Sequence, residues 1–260
     1  MTLALEVRGI SKRFGSASVL EDVSLVVEEG EFVSLVGPSG SGKSTLFQLI
    51  GGLLAADAGD IRVDGRSAAG KRGLIAYMPQ QAALLPWRTV AANVELALEI
   101  NGLGRTEARA LAREWLERVG LGGYADAYPH VLSGGMQQRV SFIRALLSPQ
   151  RLMCLDEPFG ALDALTRMQM QEWLLKLWEA NRRAVLFVTH SIEEALLLSD
   201  RIVVLSERPA RVLRDIRVPF ARPREEKLWR TPAFNQLKDE IYELLKPAAI
   251  EENTREGNAP

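Results

Sequence analysis

Gly37-Pro38-Ser39-Gly40-Ser41-Gly42-Lys43-Ser44 spaces its glycines, lysine and hydroxyl as G-x-x-x-x-G-K-[ST], with Thr45 next in the chain. Those residue types at those offsets suit a polyphosphate. Such an anion needs several backbone N–H donors converging on it, and glycine lets the main chain approach without a Cβ in the way. Lys43 can reach β- and γ-phosphates, and the Ser44 hydroxyl is a hard oxygen ligand for Mg2+. The pattern follows the apolar run Phe32–Val36 and opens a helical run, so a helix N-terminus adds its partial positive charge. A ligand-free glycine turn is the plain alternative; pattern and context together favour a nucleoside triphosphate.

Leu152-Met-Cys-Leu-Asp156-Glu157 is an apolar strand that ends in two acids. Asp156 is placed to hold Mg2+, and Glu157 to polarise a water that attacks a γ-phosphate. A strand leaving the core into a charged turn would look similar. The phosphate loop upstream tips the reading towards catalysis. Cys154, inside the strand, reads as a small core hydrophobe.

These groups need a scaffold that brings strand ends together. LALEV, Val23–Val27, Phe32–Val36, Ile61–Val63 and Leu74–Met78 read as strands, with a helix over Lys43–Leu54. Residues from about 81 to 150 change to helical periodicity. Ala108, Leu111, Ala112, Trp115 and Val119 form one apolar stripe within 106–119, and Met136, Val140, Ile143 and Leu147 another within Gly135–Leu147. LMCLD, AVLFVTH and RIVVLS then alternate with helical segments near 164–180 and 191–199, which predicts a mainly parallel sheet covered on both faces. Ser191-Ile-Glu-Glu194 is spaced as a capping box. One amphipathic helix is expected over 233–245, docked on the core, and the polar residues 251–260 are expected to be disordered.

Composition sets outer bounds. The 260 residues carry 32 basic and 33 acidic side chains, a formal net charge of -1, which excludes a strongly basic nucleic-acid binder. One cysteine permits no internal disulfide and suits a reducing compartment. No apolar run approaches the roughly 20 residues of a membrane span, and no secretory signal opens the chain. Business with a membrane would need another chain to face the lipid.

Leu132-Ser133-Gly134-Gly135-Met136-Gln137-Gln138-Arg139 makes the reading specific. This stretch resembles the signature motif of the ATP-binding cassette (ABC) ATPases, a Ser-Gly-Gly turn that opens a helix and offers a second anion site. Further motifs follow in the family's order. Phe14 matches the aromatic that stacks on adenine, and Gln80, with Gln81 beside it, matches the Q-loop glutamine that senses Mg2+ or the γ-phosphate. Gly160-Ala-Leu-Asp163 matches the D-loop and His190 the switch histidine. The resemblance runs from Leu5 to about Leu213. Its departures are Ser191, where the family often has Asp, and Phe142-Ile143, where smaller residues are frequent.

The resemblance implies an α/β fold: a P-loop NTPase core, an N-terminal antiparallel β subdomain and a helical subdomain inserted at about 81–150. An ABC domain would span 1–220, with a C-terminal helix and tail over 221–260. ATP and Mg2+ are the implied cofactors, with Ser44, Gln80 and Asp156 towards the metal. Implied partners are a second copy of the chain, whose Ser133–Gly135 faces Gly37–Thr45 across ATP, then membrane permease subunits and, indirectly, an extracytoplasmic solute-binding protein. No nucleic-acid partner is implied, and the site of action would be the cytoplasmic face of the cell membrane. The LLPWRTV stretch around Trp87 and the sequence DEPFGALDALTR resemble importers of nitrate, sulfonates, taurine or thiamine precursors. Leu84 and Trp87 read equally as interface anchors or as subdomain packing. Soluble cassettes acting on nucleic acid or ribosomes, kinases or GTPases, and a nucleotide-gated regulatory subunit are the rivals.

Overall fold

A computed structural model describes residues 2–224 and 226–246. Two sheets organise them. The first is antiparallel, in the order β2-β1-β4-β5, from β1 (Leu3–Phe14), β2 (Ala17–Glu28), β4 (Ala58–Val63) and β5 (Arg66–Ser67). The second runs β10-β9-β3-β8-β7-β6, from β3 (Phe32–Val36), β6 (Ala76–Met78), β7 (Leu152–Asp156), β8 (Ala184–Thr189), β9 (Arg201–Leu205) and β10 (Val212–Arg217). All its neighbours are parallel except β10 on β9. Every residue of β3, β7 and β8 is buried, as continuous apolar runs require when both sheet faces are covered.

The register aligns the carboxyl ends of these strands. Val36 pairs with Thr189 and Val204, Asp156 with Val188, and Met78 with Leu155. The residues that leave β3, β6, β7, β8 and β9 therefore emerge along one edge, where ligands bind in open α/β sheets.

Helices pack around this frame. α1 (Lys43–Ile50) follows the glycine loop. α2 (Val90–Ile100), α3 (Arg105–Arg118) and α4 (Gly134–Leu146) lie between β6 and β7 in the chain. Trp115 of α3 sits edge-on to Trp173, ring centres 5.2 Å apart, and Phe142 of α4 packs on Phe159 and Trp173. α5 (Ala164–Asn181), α6 (Ile192–Leu198) and α7 (Pro232–Leu245) complete the set. α7 is docked through Phe234 and Ile241, both fully buried. Arg224 anchors the chain before α7. One guanidinium nitrogen donates to the carbonyls of Leu196, Leu197 and Ser199 at the end of α6, and burial pulls its pKa down to about 10, still cationic at neutral pH.

Several bounds differ from the sequence-based expectation. The first helix stops at Ile50 instead of Leu54, because Gly51 and Gly52 follow. Gly52 has φ +68°, and a Cβ there would lie 2.2 Å from the Lys71 carbonyl oxygen. β1 and β2 run well beyond LALEV and Val23–Val27, since their pairing continues to the turn at Gly15. Only Ala76–Met78 of the expected Leu74–Met78 is strand. The helical region holds a further helix, α2, and β10 was not expected at all. Residues 251–260 lie outside the described residues.

Candidate functional site

The loop after β3 is shaped for an anion. Gly42, immediately before α1, has φ +111°, and a Cβ there would come within 3.0 Å of Val19 and Leu20 side-chain atoms, so only glycine fits. Lys43 is buried, and its Nζ donates to the carbonyl oxygens of Gly37 at 2.9 Å and Pro38 at 2.7 Å. Burial lowers its pKa, while Glu157 and Asp156 nearby push it back up and favour the charged form.

β7 delivers the two acids to different surroundings. Asp156 is buried, and desolvation raises its pKa while the Ser44 hydroxyl beside it acts in the opposite direction. A buried carboxylate beside a hydroxyl is a hard oxygen pair that suits a divalent cation. Glu157 has turned out of the strand at φ +47°, a conformation that is strained for a residue with a side chain, and its N–H donates to Val188 O at 3.0 Å. Its Oε2 accepts from Gln80 Nε2 at 3.1 Å and lies 3.6 Å from His190 Nδ1. Of the two adjacent glutamines, Gln80 makes this contact. Three parallel strands, β6, β7 and β8, thus converge on one carboxylate.

A cavity of about 220 Å³ opens beside it, lined by Ser39, Gly40, Gly42, Lys43, Ser44, Thr45, Gln80, Glu157 and Arg208. The glycine loop, Gln80 and Glu157 were legible in the sequence. Arg208 was not; its one signal is that it closely follows an apolar strand.

Other expected site residues lie apart. Phe14 is 49% exposed, with Lys12 Nζ 5.5 Å from its ring centre, and does not line the cavity. Ser133 and Gly134 are exposed, and Gly135 half-buried, outside the same cavity. Ser133 caps α4 by accepting from Met136 N–H, so the turn presents a helix N-terminus to the exterior. Gln138, one turn further on, ties this helix to the site: its amide donates to Gln80 O at 3.4 Å and accepts from Ala161 N–H at 3.1 Å.

Two local expectations change. Ser191 does accept from Glu194 N–H, but the Glu194 carboxylate does not return to Ser191 N–H as a capping box would. It accepts instead from Thr189 Oγ1 at 2.6 Å and Gln171 Nε2 at 3.0 Å, and Thr189 Oγ1 takes the Ser191 N–H. Trp87 and Leu84 part company: Asn93, fully buried, bonds the backbone of Leu85, Arg88 and Thr89 and fixes that loop. Leu84 packs on the core while Trp87 is left 72% exposed.

Comparison with known proteins agrees with this geometry. The ABC transporter family profile matches residues 20–160. An uncharacterised ABC transporter ATP-binding protein of Methanocaldococcus jannaschii is 41% identical over 255 residues, 95% of this chain and 96% of the relative. The formylaminopyrimidine import ATP-binding protein ThiZ of Halalkalibacterium halodurans is 43% identical, covering 92% of this chain and 93% of its own. The nitrate import ATP-binding protein NrtD of Synechocystis sp. is 39% identical, covering 95% and 97%. A dimeric ATP-binding cassette in a post-hydrolysis state, bound to ADP and Pi, superposes with a TM-score of 0.76 at 32% identity, over 84% of this chain and 100% of that one. From the glycine loop to the strand-end glutamate, the chain is built as an ATP-hydrolysing cassette, and it belongs to the ABC transporter family.

Proposed function

We propose that two copies of this chain close head to tail around ATP and drive the uptake of a small organic or oxyanion solute through separate membrane subunits. The carrying observation is the split site. Glu157, Gln80 and Lys43 share one cavity, whereas Ser133 and Gly134 offer a second, exposed helix end that does not line it. A second copy supplies that missing wall, which agrees with the dimeric cassettes to which the chain is similar.

In the closed pair the loop N–H groups from Gly37 to Thr45 hold the phosphates, and Ser133–Gly135 of the other copy caps the terminal one. Lys43 exchanges two carbonyl partners for phosphate oxygens, a stronger charge-assisted contact. Ser44, Asp156 and Gln80 provide the oxygens for Mg2+, which would neutralise charge on the phosphates when bound. Glu157 takes a proton from the attacking water at its carboxylate, Gln80 fixes that carboxylate, and His190 contacts the γ-phosphate. Phe14 stacks on adenine. Loss of the γ-phosphate removes the bridge between copies and lets them part.

Relatives named for import of nitrate, formylaminopyrimidine and aliphatic sulfonates support the solute class. Among the described residues no helix is long and apolar enough to cross a membrane, so the permease subunits would be other chains. The exposed Trp87 is the anchor we assign to that contact at the cytoplasmic face, with a solute-binding protein on the far side. The test is Glu157→Gln with saturating ATP, followed by light scattering. A dimer that falls apart when ATP is removed is expected. A variant that stays monomeric would overturn the sandwich.

A further inference from the structure

We propose that Arg208 is a further nucleotide ligand, its guanidinium binding the terminal phosphate of ATP. The inference rests on ATP occupying the Gly37–Thr45 loop. Arg208 follows β9 at the same sheet edge from which the glycine loop, Gln80, Asp156 and His190 emerge. It lines the cavity together with Ser39–Gly40, Lys43, Gln80 and Glu157, the groups around the reacting end of the triphosphate.

Its loop is held from both sides. Ser206 N–H donates to Arg211 O, and Arg211 N–H donates back to Ser206 Oγ, both at 2.9 Å. The Ser206 hydroxyl also reaches the carbonyls of Glu207 at 2.8 Å and Pro209 at 3.2 Å, so one side chain closes the turn over Arg208. Ala210 is bonded to β2 in both directions, through Val19 O and Glu21 N–H. Against this fixed backbone the Arg208 side chain makes no hydrogen bond or ion pair with any other described residue, whereas Arg211 nearby pairs with Glu21 at 2.7 Å.

An unpartnered cation at a cavity edge is what a phosphate would recruit. Among the described residues Lys43 is the only other cation lining this cavity, and Asp156 and Glu157 beside it offset its charge. A guanidinium offers a planar fork that matches two phosphate oxygens at once, which an ammonium cannot do. Being exposed and free of partners, the side chain can be removed without disturbing packing.

The test measures binding of the non-hydrolysable analogue AMP-PNP and of ADP, each with Mg2+, at chain concentrations where the protein stays monomeric. Arg208→Ala should weaken AMP-PNP about tenfold and ADP less than about twofold, with Arg208→Lys in between. An unchanged thermal midpoint is expected. Equal affinities in wild type and Arg208→Ala would overturn the assignment. So would an equal loss for both nucleotides, which would mean a contact away from the terminal phosphate. If only ATP-dependent pairing of two chains changed, Arg208 would serve the partner, and the assignment would fall too. A wild-type chain that bound neither nucleotide would instead remove the nucleotide reading on which this one stands.

Discussion

Glu157 and Asp156 are adjacent acids with opposite circumstances. Asp156 is buried beside a hydroxyl, while Glu157 is turned outward and held by Gln80. Glu157→Gln keeps the Gln80 contact geometry but cannot accept a proton, so phosphate release should fall by about 10²- to 10⁴-fold with ATP binding retained. Comparable turnover in the variant would sink Glu157 as the base. Glu194 lends itself to a pH experiment. Burial raises its pKa above the usual carboxylate range, despite the bonds from Thr189 and Gln171. Its folded form therefore binds a proton more readily than its unfolded form. Stability from that proton is full below the ordinary glutamate pKa and is lost as pH rises through the raised one. Glu194→Gln should accordingly lose this component: urea unfolding at pH about 4 and about 7 should show wild type losing more stability than the variant across that interval. Parallel losses would refute it.

At the scale of elements, what was legible followed from period and from punctuation. β3, β7, β8 and β9 are mostly apolar runs, and a glycine pattern after one of them and paired acids at the end of another locate the edge where the cavity opens. α2 was missed as a separate helix although Thr89 caps it by accepting from Ala92 N–H. Val90, Ala91, Val94, Ala97 and Leu98 form its buried stripe, but Leu96 and Ile100 on the other side blur the pattern. β10 (VLRDIR) was missed because three of its six residues are charged and four are exposed; it is the sheet's antiparallel edge. The position of Arg208 depends on the ends of β3, β6, β7 and β9 meeting, which no local pattern carries. α7 gives a stability prediction. Phe234 is 1% exposed and meets Phe220 at 5.9 Å, so Phe234→Ala should cost about 3–5 kcal/mol in urea unfolding. A loss below about 1 kcal/mol would mean that α7 is dispensable to the fold.

The whole molecule is one half of a machine if each site takes walls from two chains. Gly134→Asp probes that directly. Nothing lies within 4 Å of a Cβ at Gly134, and an acid in the first turn of α4 favours the helix, so the fold should persist. The added charge would meet the partner's triphosphate and block pairing. Lys43→Ala should block it from the other wall. Neither variant should associate with ATP alone, yet an equal mixture retains one intact site per mixed pair and should form dimers. Two variants that remain monomeric in the mixture would rule out the head-to-tail arrangement.

Cys154 sits fully buried in β7, and desolvation pushes its thiol pKa well above the ordinary range. A thiolate is the reactive form, so the folded chain presents a silent background to maleimides. A cysteine placed at exposed Trp87 or beside Ser133 would then take up a fluorophore or spin label alone, and unfolding would reveal itself as a second equivalent of dye. The residue that composition marks merely as unpaired thereby gives this ATPase a built-in reporter of its own integrity.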